Sequence, residues 1–379
     1  VLAEVVGNRD LGIRYSQQGL RFAISDHDSL NAPRHLMNIA RRFRMRGDLD
    51  SCRVYQEQAV HWVAMYPHPQ NVRRMPLMQA EYHAQVGEYS IVDSLLNAAV
   101  ALAQKNSTLE ARAELHLELI RGWMETDRPD LVYRSIAALK ELNTTEGDLD
   151  ADRHRSADLS LLVGEFLTQR SEYARAAATL DRAAKALESR PNQSRAWTLA
   201  RNRGVLARER GQLTAAKRQF QSCIDIGLEL ETPELVSTGR FLLGSVLLEE
   251  GRFAEARATF PSVDAESFRG RFTTRVSVLL FVGISHAREG NNQLAMEAFD
   301  AARNACRSWS PLALTARIDL ETGRAHAAAE RFADAQRLVE AVAAQLEASD
   351  RGDDGDEAAP ELAYFSGNLR RDCIESYVA

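Results

Sequence analysis

The sequence predicts an all-α protein built as a solenoid of stacked antiparallel helix pairs. Three observations support this fold class. Alanine, leucine, arginine and glutamate, which favour helices, dominate the chain, and only 10 prolines occur in 379 residues. Runs in which β-branched and polar residues alternate are nearly absent, so almost no sheet is expected. Short polar turns recur at a nearly constant spacing, which is typical of a repeat array whose units pack only on their neighbours.

The repeat is defined by turns expected at residues 7, 47, 87, 127, 171, 211, 251, 290 and 330. In the four clearest repeats a glycine precedes the turn by seven residues, and an alanine and then a larger apolar residue follow it. The glycines are Gly204, Gly244, Gly283 and Gly323, the alanines Ala216, Ala256, Ala295 and Ala335, and the apolar residues Phe220, Phe260, Phe299 and Val339. We expect the glycine to lie where helix A crosses helix B closely, with the apolar side chain filling the groove between them. A left-handed turn residue should end helix A.

This pattern resembles the tetratricopeptide repeat (TPR) superfamily, in a long variant with a period near 40 residues. An aromatic residue two positions after the turn, as at Tyr89, Tyr173, Phe253 and Phe332, adds to the resemblance. The sequence departs from the usual repeat in two ways. Its period is near 40 residues instead of 34, and most of the Trp and Pro residues that mark the usual repeat are missing. The resemblance covers nearly the whole chain and implies a right-handed superhelix that binds a protein or peptide in its concave groove. Another α-solenoid, such as a HEAT-type array, shares the length but lacks the glycine and alanine spacing.

Three regions are expected along the chain. Residues 1–346 form about eight repeats, residues 347–360 an acidic linker, and residues 361–379 a closing helix. The array opens inside a first helix A, which suggests a neighbouring effector domain upstream of residue 1. Residues 347–361 carry seven acids and one base, which equals the net charge of −6 of the whole chain. The rest is balanced, which argues against direct binding to nucleic acid.

The acidic segment also has weak similarity to an EF-hand loop. Asp350, Asp354, Gly355, Asp356 and Glu361 fall at loop positions 1, 5, 6, 7 and 12. Position 3, however, is Gly352, which offers no side-chain ligand. We therefore expect a disordered linker and no metal. A further hypothesis is that this linker folds back onto an arginine-lined groove as an internal competitor.

The concave groove should be lined by positions 13, 10, 6 and 3 residues before each turn. The segment between Ser29 and Gly47 contains five arginines and no acid, so it can hold carboxylates. An asparagine nine residues before its turn can hydrogen-bond a bound peptide backbone. The candidate ligand-binding residues are Arg34, Asn38, Arg41, Arg44, Arg74, Arg121, Arg201, Asn202, Arg208 and Phe241. The alternative interpretation is a solvated helix face with intrahelical ion pairs.

No sequence motif indicates catalysis, a cofactor or a metal site. The chain has no phosphate-binding loop, nucleophile elbow or HExxH helix. Its four cysteines form no CxxC pair, which fits a reducing cytoplasm. We expect no enzyme and no membrane contact. We expect instead a cytoplasmic scaffold that binds a protein or peptide, including an acidic one. The alternative is an effector-sensing or autoinhibitory arm of a larger regulator, resembling the repeat domains of STAND-type ATPases and transcription activators.

Overall fold

In the part of the chain that the structure describes, one leading helix is followed by eight helix pairs. A computed structural model describes residues 9–46, 48–86, 88–106, 109–125, 129–145, 153–189, 191–263, 272–306 and 312–350. Within these ranges there are seventeen α-helices and no strand, and the leading helix is α1 (Arg9–Ser25). The pairs are α2 (Asn31–Arg46) with α3 (Leu49–Met65), α4 (Pro69–Val86) with α5 (Tyr89–Asn106), α6 (Leu109–Glu125) with α7 (Pro129–Thr145), α8 (Arg153–Gln169) with α9 (Tyr173–Ser189), α10 (Gln193–Glu209) with α11 (Leu213–Glu229), α12 (Pro233–Glu249) with α13 (Phe253–Thr259), α14 (Phe272–Arg288) with α15 (Asn292–Ala305), and α16 (Leu312–Ala328) with α17 (Phe332–Asp350).

The pairs stack so that helices A of neighbouring repeats touch. Helix α4 contacts both α2 and α6, and α8 contacts both α6 and α10. Each pair buries one apolar face internally and a second face against the next pair, as repeat arrays require. The predicted all-α solenoid of stacked helix pairs is confirmed.

The crossing of helix A and helix B depends on the small residue predicted there. A Cβ atom added at any of three glycines would lie 2.4 to 2.5 Å from a phenylalanine ring. The pairs are Gly204 with Phe220, Gly244 with Phe260, and Gly283 with Phe299. Because real carbon contacts lie near 3.5 to 4.0 Å, only glycine permits this approach. The alanine of each repeat is also buried, with an exposed fraction of 0% at Ala216, Ala256 and Ala295.

The turns between helix A and helix B adopt a left-handed backbone. The φ angle is +71° at Gly211, +75° at Gly251 and +78° at Gly290. After Gly211, the Gln212 N–H donates to the carbonyl of Ala207, so an otherwise unpaired end of α10 is satisfied. Ser171 and Glu330 hold the same conformation without being glycine, at +59° and +61°.

One helix B is shorter than the regular repeat predicts. Helix α13 ends at Thr259 after seven residues. Phe260 turns to an extended conformation with ψ of 144° because it precedes Pro261, and proline disfavours a helical residue before it. The Phe260 ring nevertheless stays in the groove, 7% exposed, so the packing rule of the repeat holds although the helix ends early.

Several predicted features fall outside the described residues. These are the turns at residues 7, 47, 87 and 127, the EF-hand-like positions after residue 350, and the closing helix at 361–379. Helix α17 continues to Asp350, four residues into the segment predicted as linker. Among the described helices, none has the length and apolar character needed to cross a membrane.

Candidate functional site

A cavity of about 600 Å³ opens among helices α2, α4, α5 and α6. We call it the arginine pocket. It is lined by Arg34, Met37, Asn38, Arg41, Arg44, Arg74, Leu77, Met78, Ala80, Glu81, Ala84, Val92, Leu96, Glu118 and Arg121. Its volume lies in the range of ordinary ligand sites in proteins, about 300 to 1,000 Å³.

The arginines reach the pocket through helical and repeat spacing together. Arg34 and Arg41 are seven residues apart, two turns of α2, so they project from one face. Arg74 follows Arg34 by one repeat, and Arg121 occupies in α6 the register position that Arg41 occupies in α2. Since helices A of successive repeats stack, these equivalent positions face the same cavity. The structure thus brings together six predicted residues: Arg34, Asn38, Arg41, Arg44, Arg74 and Arg121.

Ion pairing distinguishes one of these arginines from the others. Arg44 donates to Glu81 at 2.5 Å, which links α2 to α4. The other four arginines make no side-chain hydrogen bond or ion pair with a described residue, and their side chains are exposed to solvent. These four are Arg34, Arg41, Arg74 and Arg121. Five arginines against two glutamates leave an excess of three positive charges among the lining residues when both acids are ionised.

Glu118 is an acidic residue of the pocket that was not among the candidates predicted from the sequence. Burial raises the pKa of its carboxyl group, Arg74 and Arg121 lower it, and Glu114 and Glu81 raise it further. Its side chain makes no hydrogen bond or ion pair to other parts of the described chain. It lies nine residues before the expected turn at residue 127, the register position of Asn38, and this signal could have identified it.

The floor of the pocket is apolar. Val92 and Leu96 of α5 are 0% and 1% exposed, and Met37 and Ala80 are also buried. Leu77 and Met78 are half-buried and border the cavity. A ligand could therefore pack apolar atoms against this floor while its charged group meets the exposed arginines above it.

Asn202 does not face the groove as its register position predicts, so the prediction that it binds a ligand is wrong. It is 2% exposed, its Nδ2 donates to the Leu161 carbonyl of α8 at 2.9 Å, and its Oδ1 accepts from Arg201 Nε at 3.2 Å. Both ends of the amide are therefore used within the chain, and it joins two repeats instead of facing a ligand. Arg201 itself pairs with Glu165 at 2.6 Å.

The last two predicted residues also lie apart from the arginine pocket. Arg208 lies 2.9 Å from Glu209 and 3.7 Å from Glu249, so it bridges α10 and α12. Phe241 stacks on Phe281 with ring centroids 5.5 Å apart. An arginine also links neighbouring repeats at α8 and α10, where Arg195 binds Asp158 through two contacts of 2.7 and 2.8 Å.

Comparison with known proteins supports the fold class. No family model matches the chain, and no curated protein sequence does either. A solved structure of a Rap protein complexed with competence and sporulation factor aligns with a TM-score of 0.55 and 12% identity, over 91% of this chain and 99% of that one. The apo form of RapI gives a TM-score of 0.48 and 10% identity, over 91% and 97%. The TPR domain of P58(IPK) gives 0.28 and 9%, over 96% and 99%. The first of these shows that the chain has a TPR-like helical-repeat fold.

Proposed function

We propose that this chain is a scaffold that binds a protein or peptide, and that its arginine pocket holds an acidic segment of that partner. One observation carries the proposal: four of the five arginines that line the cavity, from three successive helices A, make no ion pair with a described acid. A guanidinium group presents a planar set of donors that matches a carboxylate through two parallel hydrogen bonds. The apolar floor would accept a flanking apolar side chain.

A purely structural role explains these arginines poorly. Farther along the array, Arg195 and Arg201 already bind acids of the adjoining repeat. In the pocket only Arg44 does so. Like charges held near one another raise the free energy of the folded chain, and a bound anion would offset that cost.

Two further observations support the proposal. The similar solved structure is that of a Rap protein complexed with competence and sporulation factor, so in that protein a fold of this kind is found with a bound factor. The buried cysteines Cys52 and Cys223 form no disulfide, which supports a reducing compartment such as the cytoplasm.

The test is selection of peptides from an unbiased displayed library. Its targets are the parent chain, an Arg41→Glu, Arg121→Glu variant and a matched control, Arg218→Glu, Arg240→Glu, which changes two exposed arginines away from the pocket. Each charged hydrogen bond contributes about 1.5 to 3 kcal/mol, so loss of two should weaken a selected acidic peptide at least a hundredfold. The control should bind like the parent. Enrichment of neutral or basic sequences, or equal binding to the pocket variant, would refute the proposal.

A second candidate is an effector-sensing arm of a larger multidomain regulator. The volume of the pocket, about 600 Å³, suits a small anionic effector as well as a short segment of a partner. Calorimetric titration with a panel of small organic anions tests the hypothesis of an effector-sensing arm. Affinity that depends on Arg41 and Arg121, with no peptide enriched from the library, would favour it over the scaffold.

A further inference from the structure

The charge in the arginine pocket exceeds what one carboxylate can match. Even with Glu81 and Glu118 both ionised, the lining residues carry three positive charges in excess. A carboxylate brings one negative charge and takes one guanidinium side-on. A phosphate monoester brings nearly two negative charges and three acceptor oxygens at pH 7.

The arrangement of the donors points the same way. The arginines that bind no described acid come from three different helices: Arg34 and Arg41 from α2, Arg74 from α4 and Arg121 from α6. Donors that come from three helices can serve a tetrahedral anion whose oxygens point in different directions. A planar carboxylate would leave some of them without a partner.

From this geometry we infer that the natural ligand presents a phosphate monoester to Arg34, Arg41, Arg74 and Arg121. The inference rests on the proposed function, because it specifies the anion that the same pocket holds. The body of the ligand that carries the phosphate contacts the apolar floor at Met37, Leu77 and Met78. A phosphorylated side chain and a small phosphate ester share this chemistry, and the experiment separates them.

Glu118 limits how strongly the pocket can prefer a dianion. Its carboxyl group lies among the arginines and makes no direct hydrogen bond or ion pair with a described residue. As an ionised group it repels any anion, and it repels a dianion about twice as strongly as a monoanion. Glu118→Gln should therefore tighten binding of a phosphate monoester more than binding of a sulfate or a carboxylate.

The experiment compares three probes of matched shape and different charge. Phenyl phosphate, phenyl sulfate and phenylacetate share the ring that fits the apolar floor, and they carry about two, one and one negative charges at neutral pH. Affinities are measured by calorimetric titration against the parent, the Arg41→Glu, Arg121→Glu variant, the Arg218→Glu, Arg240→Glu control and Glu118→Gln. Circular dichroism shows whether each variant is folded. A second arm uses a serine peptide, its phosphoserine form and its aspartate form.

The inference expects phenyl phosphate to bind at least about tenfold more tightly than either monoanion. It also expects loss of this preference in the pocket variant and its retention in the control. Preference for the phosphoserine peptide over phenyl phosphate would identify a phosphorylated partner, and the reverse would identify a small ester. Equal binding of all three probes, with dependence on the pocket arginines, would overturn the phosphate inference and leave the proposed anion site standing. Absence of arginine-dependent binding by every probe and peptide would overturn both.

Discussion

Replacement of Gly204 by alanine tests the packing rule on which the repeat depends. The added methyl would lie 2.4 Å from Cε1 and 2.7 Å from Cδ1 of the Phe220 ring. Contacts between carbon atoms are normally near 3.5 Å or longer, so the helices or the ring must move apart by about 1 Å. Phe220 is 0% exposed, so the close packing of a protein interior restricts its rotation away from the added methyl.

The magnitude follows from two opposing effects. Overpacking a well-packed core costs about 1 to 3 kcal/mol, and the size of this overlap favours the upper end. Alanine in a helix interior is better than glycine by about 1 kcal/mol. The expected loss of unfolding free energy is therefore about 2 kcal/mol. At Gly323 the same change should be neutral or stabilising by up to about 1 kcal/mol, because the nearest atoms lie at 3.4 and 3.5 Å.

The assay is urea unfolding monitored by circular dichroism, with hydrogen exchange of α10 and α11 to locate the effect within the array. A Gly204→Ala variant as stable as the Gly323→Ala variant would contradict the packing rule. The mechanism itself is tested by adding Phe220→Val, which mimics the smaller Val339 beside Gly323. Phe220→Val should cost less in the Gly204→Ala background than in the parent, and additive costs would refute the proposed steric coupling.

Three further predictions concern the turns, the buried acid and the inter-repeat ion pair. Ser171→Gly should raise the unfolding free energy by about 1 kcal/mol, and Gly211→Ala should lower it by about the same amount, because both positions have positive φ. Changes of the same sign in the two variants would refute the strain argument. Burial raises the folded-state pKa of Glu118 above its ordinary value of 4.5, so the folded chain binds more protons there than the unfolded chain. Stability should therefore fall as pH rises from about 4.5 toward the folded value, and Glu118→Gln should remove this fall in chemical denaturation; unchanged slopes would contradict it. Arg44→Glu and Glu81→Arg should each lower the unfolding free energy, and the double exchange should restore about 0.5 to 1 kcal/mol of it in a double-mutant cycle. Absence of coupling in the cycle would show that the ion pair does not contribute to stability.

Much of the pocket could be predicted from spacing alone. Arg34 and Arg74 occupy one register position, and Arg41 and Arg121 another, so a constant repeat places them along one groove. The same reasoning was wrong for Asn202, which holds the register position of Asn38. Asn38 is exposed, whereas Asn202 is covered by α8 and binds the Leu161 carbonyl.

That difference has a physical cause. Register fixes the direction of a side chain relative to its own helix, but the identity and approach of the neighbouring helix decide whether that direction leads to solvent. The same limit applies to charge. The sequence shows arginines at positions of the groove, but it does not show that Glu81 pairs with Arg44 and Glu165 with Arg201, because each acid comes from a different repeat.

The sequence alone determined the all-α class, the period of the helix pairs, and the turns at residues 211, 251 and 290, because helix propensity, turn glycines and the crossing of paired helices act within about 40 residues. Only the tertiary structure decided that α2, α4, α5 and α6 line one cavity, that Glu118 lies in it, and that four of its five arginines make no ion pair with a described acid. These properties depend on the relative placement of residues as distant in sequence as Arg34 and Arg121. The stacking of successive helix pairs decides that placement, and local sequence patterns do not encode it.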